Sequence, residues 1–204
     1  MNPFEIVSEF EQVVAEYADA PYGVAVDSCT NALFLSLKVG KLRYGGTSVV
    51  LPKYTYVGVA HAAVNAGYRV LFIDFDWRGA YALAMTNVDD SARRFREGMY
   101  VPGTLYCVSF HSGKHLPLES GGMILLDNVA DYVLLKRMRY DGRTELVPPK
   151  EDTFDVPGYH CLMHPSVAVR GLQIMRYMPD YNDDLPMDDY ADLSQFPYFT
   201  EANK

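Results

Sequence analysis

Residues 22–38 read YGVAVDSCTNALFLSLK, and this stretch decides the class of fold. Tyr22–Val26 is an apolar run of strand length, and residues 32–38 have the character of a helix. The polar turn Ser28-Cys29-Thr30-Asn31 lies between them. A strand that leads through such a turn into a helix exposes N–H groups and hydroxyls at the helix N-terminus, where anions and phosphates bind. Ordinary N-capping by Ser28 or Thr30 explains the same residues.

The alternation of strands and helices continues on both sides of this stretch. Upstream, Asn2-Pro3-Phe4-Glu5 predicts a helix start with Asn2 as the N-cap. Downstream, helices are predicted over residues 57–66, 131–138 and 166–178, and buried strands over residues 48–51, 70–74, 82–88, 105–109 and 123–126. Such a pattern predicts an α/β fold with three layers, a mostly parallel sheet covered by helices on both faces. Residues 141–158, rich in charge and proline, predict a loop.

Composition limits the kind of protein. The chain has 204 residues, of which 49% are hydrophobic, enough for one substantial domain with a real core. No apolar run approaches the length of a membrane span, and the first residues do not resemble a signal peptide. Three widely spaced cysteines lack the spacing of paired metal ligands. They favour reduced thiols in a cytoplasmic protein over a disulfide framework or a zinc site.

The net charge of −8 is concentrated near the end of the chain. Seven acidic side chains follow Pro179, against a single lysine, Lys204. This segment is expected to be a solvated or loosely docked extension. The chain carries no basic stripe of the kind that nucleic-acid binding needs, so neither nucleic acid nor a membrane is an expected partner.

Lys114 is the residue with the clearest chemical potential. The apolar run at residues 105–108 ends in Ser109-Phe110-His111-Ser112-Gly113-Lys114, and Gly121-Gly122 follows. A strand end of this kind can offer an amine to a pocket. A lysine amine that is partly desolvated loses its proton more easily and becomes a nucleophile toward carbonyls. The alternative is a surface lysine in a loop.

Several short motifs occur in one order along roughly the first 175 residues. They are Ser28-Cys29-Thr30-Asn31-Ala32-Leu33, Pro52-Lys53-Tyr54-Thr55-Tyr56, Asn65-Ala66-Gly67-Tyr68, Phe72-Ile73-Asp74, Asp90-Ser91-Ala92, Ser109-Phe110-His111 before Lys114, Gly121-Gly122-Met123 and Tyr140-Asp141-Gly142-Arg143. In content and order they resemble the DegT/DnrJ/EryC1/StrS family of pyridoxal-phosphate sugar aminotransferases. The resemblance implies the large domain of an aspartate aminotransferase-like fold, the type I fold of these enzymes.

The resemblance implies a role for each residue that matches a family motif. Lys114 would supply the amine that bonds to the aldehyde of pyridoxal 5′-phosphate and later shuttles protons. Asp90 would pair with the protonated ring nitrogen, so that the ring can accept electrons. Tyr56 would stack on the ring. Its sequence context alone, without the resemblance, indicates a core residue. The residues that would hold the phosphate are Ser28, Cys29, Thr30 and Ser109.

Other positions depart from the family pattern. Arg93 stands where a glutamine or histidine usually contacts the ring hydroxyl, and Ser120 stands where a glutamate usually precedes the Gly-Gly pair. His160 occupies the place of an asparagine that reaches the cofactor phosphate of the neighbouring subunit, and a histidine can also donate to phosphate. One branch of the family replaces the lysine with histidine and catalyses dehydration; Lys114 argues against that branch.

The resemblance also implies an organisation and a function. Residues 1–178 would form a trimmed large domain and residues 179–204 an acidic tail, without the usual C-terminal small domain. The expected reaction transfers an amino group from glutamate to a nucleotide-linked keto sugar, in a cytoplasmic homodimer with a shared active site. Two alternatives stay open: a non-catalytic binding or scaffold protein, and other pyridoxal-phosphate chemistry. Three residues are candidates to meet an anionic nucleotide or carboxylate, although each is more simply explained as a solvated surface charge: Lys53, Arg139 and Arg143.

Overall fold

The structure, a computed structural model, describes residues 3–200, so the predicted Asn2 cap lies outside the described residues. The helices are α1 (Pro3–Ala18), α2 (Cys29–Tyr44), α3 (Val57–Ala66), α4 (Val129–Met138), α5 (Pro165–Met175) and α6 (Pro197–Thr200). The strands are β1 (Tyr22–Val26), β2 (Ser48–Pro52), β3 (Arg69–Ile73), β4 (Tyr81–Leu83), β5 (Val88–Asp90), β6 (Leu105–Ser109) and β7 (Gly122–Leu126). Within residues 3–200, no helix is both long enough and apolar enough to cross a membrane.

Most elements lie where the sequence predicts them. Helix α2 is longer than the predicted 32–38, because Ser28 caps its first turn and Gly45, at a φ of 70°, ends it in the left-handed conformation. The apolar run at 82–88 is two strands rather than one. The chain reverses between β4 and β5 through a turn in which Met85 has a φ of 70°.

The main sheet has five strands in the order β1-β7-β6-β5-β4, and β2 and β3 form a separate parallel pair. Three of the five strand pairs among the described residues are antiparallel, namely β1–β7, β6–β7 and β4–β5. The prediction of a mostly parallel sheet is therefore wrong, although the α/β class is confirmed. An apolar run indicates that a strand is buried on both faces and carries no information about its direction. Direction follows from the connections: only residues 84–87 join β4 to β5, too few for the crossover that a parallel neighbour needs, so the chain turns back there.

Helices cover both faces of the main sheet, as the three-layer prediction requires. Alternate side chains of β7 point to opposite faces, as strand geometry dictates. Ile124 and Leu126 pack in a core with α2, α3 and α4. Met123 and Leu125 pack on the other side, in a core with α1 and α5.

The acidic C-terminal segment is docked on the body rather than loosely solvated. Leu193 and Phe199 are buried in the core beside α3 and β3. Asp184 and Asp188 form ion pairs with arginines that follow β5. The division into a domain at 1–178 and a tail at 179–204 stays a prediction.

Candidate active site

One cavity of about 390 Å³ lies where β5 and β6 end and α2 begins. Its volume is in the range of small-molecule sites. Eight of the nine residues that the sequence predicts for the site line it: Ser28, Cys29, Thr30, Tyr56, Asp90, Arg93, Ser109 and Lys114. Residues from four separate segments of the chain are therefore brought to one place.

The turn before α2 forms one wall of this cavity. The Ser28 side chain accepts a 3.2 Å hydrogen bond from the N–H of Asn31, which caps the helix. Gly122 lies directly behind the turn: a Cβ there would stand 2.5 Å from the backbone nitrogen of Cys29. The Gly121-Gly122 pair thus lets β7 approach the start of α2, and the positive end of the helix faces the cavity.

Asp90, at the end of β5, is almost fully buried at 5% exposure. Its carboxylate accepts hydrogen bonds from the Tyr81 hydroxyl at 3.0 Å and from the N–H of Ala92 at 2.9 Å. Burial raises the pKa of Asp90, while these two hydrogen bonds act in the opposite direction. A cation placed in the cavity would favour the charged form of this carboxylate.

Lys114 lies on the loop after β6, in a turn closed by its N–H and the carbonyl of His111 at 2.9 Å. The side chain lines the cavity and is partly buried. Burial lowers the pKa of the Lys114 amine, and the nearby Arg93 guanidinium lowers it further, whereas Asp90 opposes both effects. Such an amine is neutral, and hence nucleophilic, at lower pH than an ordinary lysine.

The structure adds site residues that the sequence reasoning missed. Tyr81 stands opposite Asp90 in the β4–β5 ladder, and its hydroxyl is also 2.6 Å from the Thr55 hydroxyl. Trp77 lines the cavity, as do Asp188 and Tyr190 of the C-terminal segment. The pairing of Tyr81 with Asp90 and the docking of the C-terminal segment leave no local signal in the sequence. These residues could therefore be found only from the tertiary structure.

His160 is the one predicted site residue that does not line the cavity. Its side chain is 80% exposed, and Nδ1 is 2.9 Å from a carboxylate oxygen of Asp141. The hydrogen bond to Asp141 raises the pKa of the imidazole. An exposed position outside the cavity is what a contact with a second subunit would need, so this role stays a prediction.

The three residues predicted as candidate ligands for an anionic nucleotide or carboxylate do not lie at the cavity. Arg139 is completely buried, paired with Glu11 and Glu145, so it is neither a substrate ligand nor a surface charge. Lys53 pairs with Asp74 and Asp192, and Arg143 lies over the ring of Tyr140. None of them lines the cavity described here.

Residues 2–90, which include β1, the capped turn, Tyr56 and Asp90, match the model of the DegT/DnrJ/EryC1/StrS aminotransferase family. These residues are similar to that family. The resemblance that the motifs predicted is confirmed over this part of the chain. The spore coat polysaccharide biosynthesis protein SpsC of Bacillus subtilis (strain 168) is 36% identical to this chain over 70 residues. That stretch covers 34% of this chain and 18% of the relative.

Solved structures extend the fold relationship beyond the family match. A putative PLP-dependent aminotransferase from Bacillus cereus ATCC 10987 superposes with a TM-score of 0.69 at 20% identity, over 85% of this chain and 58% of that one. The sugar aminotransferase CalS13 from Micromonospora echinospora gives 0.70 at 16% identity, over 84% and 61%. At such identity the likeness shows the fold alone. This chain spans about three fifths of the length of these structures.

Proposed function

We propose that this protein is a pyridoxal 5′-phosphate-dependent aminotransferase of the DegT/DnrJ/EryC1/StrS type. The observation that carries the proposal is the juxtaposition of Lys114 and Asp90 in one cavity, with the start of α2 as its wall. A partly buried lysine and a buried carboxylate are costly to a fold unless they have partners or a function. The family match over residues 2–90 supports the same chemistry.

The residues of the cavity fit this cofactor by their chemistry. Its aldehyde would need a neutral amine, and the pKa of Lys114 is lowered by burial. Its ring nitrogen would need a carboxylate, and Asp90 is buried in the same cavity. Its phosphate would need donors at a helix start, which the Ser28-Cys29-Thr30 turn and Ser109 provide. When bound, the cofactor supplies the electron sink that stabilises a carbanion.

Each residue then has a defined task. The Nζ of Lys114 would hold the cofactor and move a proton to and from substrate carbon. The Asp90 carboxylate would keep a positive charge on the ring nitrogen, with Tyr81 fixing the orientation of the carboxylate. Tyr56 would contact the ring, and Arg93 would donate to the ring hydroxyl. The residues that would bind the phosphate are Ser28, Cys29, Thr30 and Ser109.

The finer parts of the proposal concern substrates, partner and compartment. We take glutamate as the amino donor and a nucleotide-linked keto sugar as the acceptor, supported by the match to a sugar aminotransferase fold and to a polysaccharide biosynthesis protein. The exposed His160 supports a homodimer in which it reaches the partner's cofactor phosphate. Unpaired thiols at Cys29, Cys107 and Cys161 support a reducing, cytoplasmic setting.

A trapping experiment tests the cofactor chemistry. Purified protein mixed with pyridoxal phosphate should develop the absorbance of the lysine-bound cofactor, and borohydride should fix the adduct on the peptide that contains Lys114. Lys114→Ala should abolish both signals, whereas Lys150→Ala, at an exposed loop position, should leave them intact. If the wild-type protein shows no band and no adduct, the proposal is wrong.

Glutamate then separates an aminotransferase from a non-catalytic protein. With the cofactor loaded, glutamate should release about one 2-oxoglutarate per site in the absence of acceptor. A stable band that glutamate does not convert would instead favour a scaffold or other pyridoxal-phosphate chemistry. Sedimentation of the loaded protein tests the homodimer independently.

A further inference from the structure

The C-terminal segment of residues 179–195, called here the strap, contributes Asp188 and Tyr190 to the lining of the cavity. It is attached to the body at several points. The Tyr17 hydroxyl donates to the carbonyl of Pro179 at 2.6 Å, and the Asn182 amide donates to the carbonyl of Phe95 at 2.8 Å. Further on, the N–H of Leu185 donates to the carbonyl of Arg93 at 2.9 Å. The strap is therefore a built part of the site's surroundings.

The main anchor of the strap is Asp184. Both of its carboxylate oxygens accept hydrogen bonds from Arg94, at 2.9 and 2.6 Å, and Arg96 lies 3.7 Å away. Gly79, at a φ of 71°, makes room for this carboxylate, since a Cβ there would overlap it. Such bidentate pairing fixes the strap in register next to the cavity.

Asp188 brings the strap into the cavity itself. Its two oxygens accept from both terminal nitrogens of Arg93, in a second bidentate pair, and the Tyr190 hydroxyl lies 3.3 Å from Asp188 and 3.4 Å from Arg93. Arg93 is only 7% exposed. The cavity that the Arg93–Asp188 pair lines is also lined by Tyr190 and Lys114, so the pair and the amine share one cavity.

The charges around Lys114 come from several elements. Arg93 disfavours the protonated amine, whereas Asp90, Cys29 and Asp188 favour it. The other titratable side chains that line the cavity are Asp27, Tyr56, His111, Glu119 and Tyr190. Asp188 is the carboxylate that Arg93 pairs with directly, so its charge both orients Arg93 and offsets the arginine's effect on the amine.

We propose that Asp188 is a positioning residue of the site, which holds the Arg93 guanidinium against the cavity and balances its charge beside Lys114. This inference rests on the proposed function for the identity of the group that Arg93 contacts. Its electrostatic part concerns Lys114 and Arg93 alone, and can be measured without any cofactor.

The test compares Asp188→Asn with Asp189→Asn, a control that removes the same charge from the next, exposed residue. Two readouts are used: the pH dependence of trace acetylation of Lys114 in the cofactor-free protein, and the pH titration of the absorbance band after loading with pyridoxal phosphate. Because Asp188→Asn leaves Arg93 uncompensated, the Lys114 midpoint should fall by roughly half a pH unit or more. Asp189→Asn should leave it unchanged.

Asp188→Glu should restore the wild-type midpoint, since it returns a carboxylate to the guanidinium. Equal Lys114 midpoints in Asp188→Asn and Asp189→Asn would overturn the inference. Absence of a cofactor band in the wild-type protein would contradict the proposed function but not the role of Asp188. That role is still tested by the Lys114 midpoint, which acetylation measures in the cofactor-free protein. If Asp188→Asn does not fold, as judged by circular dichroism, Asp188→Ser replaces it: a fall in the Lys114 midpoint supports the inference and an unchanged midpoint overturns it.

Discussion

The Tyr81 hydroxyl donates a 3.0 Å hydrogen bond to the Asp90 carboxylate, and the two residues face each other across the β4–β5 ladder. Tyr81 is buried in turn, and its oxygen is 2.6 Å from the Thr55 hydroxyl. A chain of buried polar groups therefore ends on the carboxylate that we place opposite the ring nitrogen. Buried polar groups linked in this way hold one another in position.

Tyr81→Phe should destabilise the protein and raise the pKa of Asp90 further. The change removes a donor to a buried carboxylate and leaves the Thr55 hydroxyl without its partner, a cost of about 1–3 kcal/mol. Urea unfolding measures it. Tyr159→Phe is the matched control, since the described residues offer its hydroxyl no hydrogen bond. Equal unfolding free energies for the two variants would contradict this account.

Gly122→Ala should damage the site by crowding alone. The new Cβ would meet the backbone of Cys29, which cannot rotate away, so β7 or the capped turn must shift. Overpacking of this kind costs about 1–3 kcal/mol. Weaker binding of pyridoxal phosphate and a lower unfolding midpoint are expected. Gly113→Ala, where a Cβ meets nothing within 4 Å, should change neither quantity.

The Lys114 amine should become reactive at lower pH than an ordinary lysine. Burial and Arg93 disfavour its charged form, so the neutral amine is populated below about pH 10.4, the ordinary lysine pKa. Trace acetylation across a pH series, read by peptide mass spectrometry, gives the midpoint for each lysine separately. The prediction fails if the Lys114 midpoint lies at or above that ordinary value.

Glu11→Gln should be among the most destabilising single changes outside the cavity. Glu11 accepts from Arg139, from Lys136 at 2.9 Å and from the N–H of Ala25 at 2.8 Å. Without the charge of Glu11, the buried Arg139 keeps Glu145 as its carboxylate partner and the carbonyl of Ala25 as an acceptor, and breaking a buried ion pair costs about 3–5 kcal/mol.

A surface ion pair provides the control for Glu11→Gln. Arg170 and Glu119 are 2.6 Å apart but 48% and 74% exposed. Arg170→Gln should therefore cost less than about 1 kcal/mol in the same urea experiment. If the two substitutions cost the same, the buried network does not contribute as argued.

Acid should release the strap. Pairing with arginines lowers the pKa of both Asp184 and Asp188. The stability that these pairs contribute is thus fully present above the ordinary aspartate pKa of about 3.9 and is lost as the pH falls through the lower folded-state values. Trp77 is the one tryptophan of the chain, and its ring centroid lies 6.3 Å from that of Tyr190 in the strap. The fluorescence of Trp77 therefore reports whether the strap is docked.

Asp184→Asn should move the midpoint of this fluorescence change to higher pH, because fewer protonations then suffice to undock the strap. Asp183→Asn, at an exposed position on the same segment, should not move it. Identical midpoints in the two variants would argue against the Asp184 anchor.

Local patterns in the sequence were sufficient for much of the fold. The bounds of β1, α3 and β6 follow from apolar runs and helical spacing, which report burial on a face of an element. The same patterns were silent on strand direction, so the sheet was predicted as mostly parallel and is mixed. The prediction that Arg139 is an anion ligand or a surface charge was wrong for a related reason. The residues next to Arg139 in the sequence do not reveal its ion pair with Glu11, which lies in helix α1.

By itself, the sequence determined most of the elements, the choice of Lys114 and Asp90 as candidate site residues and the family resemblance over residues 2–90, because these depend on residue type and order along the chain. Only the tertiary structure decided that Tyr81 fixes Asp90, that Asp188 pairs with Arg93, and that the acidic segment docks at the cavity. These contacts join residues that are brought together by strand pairing and by ion pairs over long separations. Their energy depends on distance and burial in space, which no local pattern records.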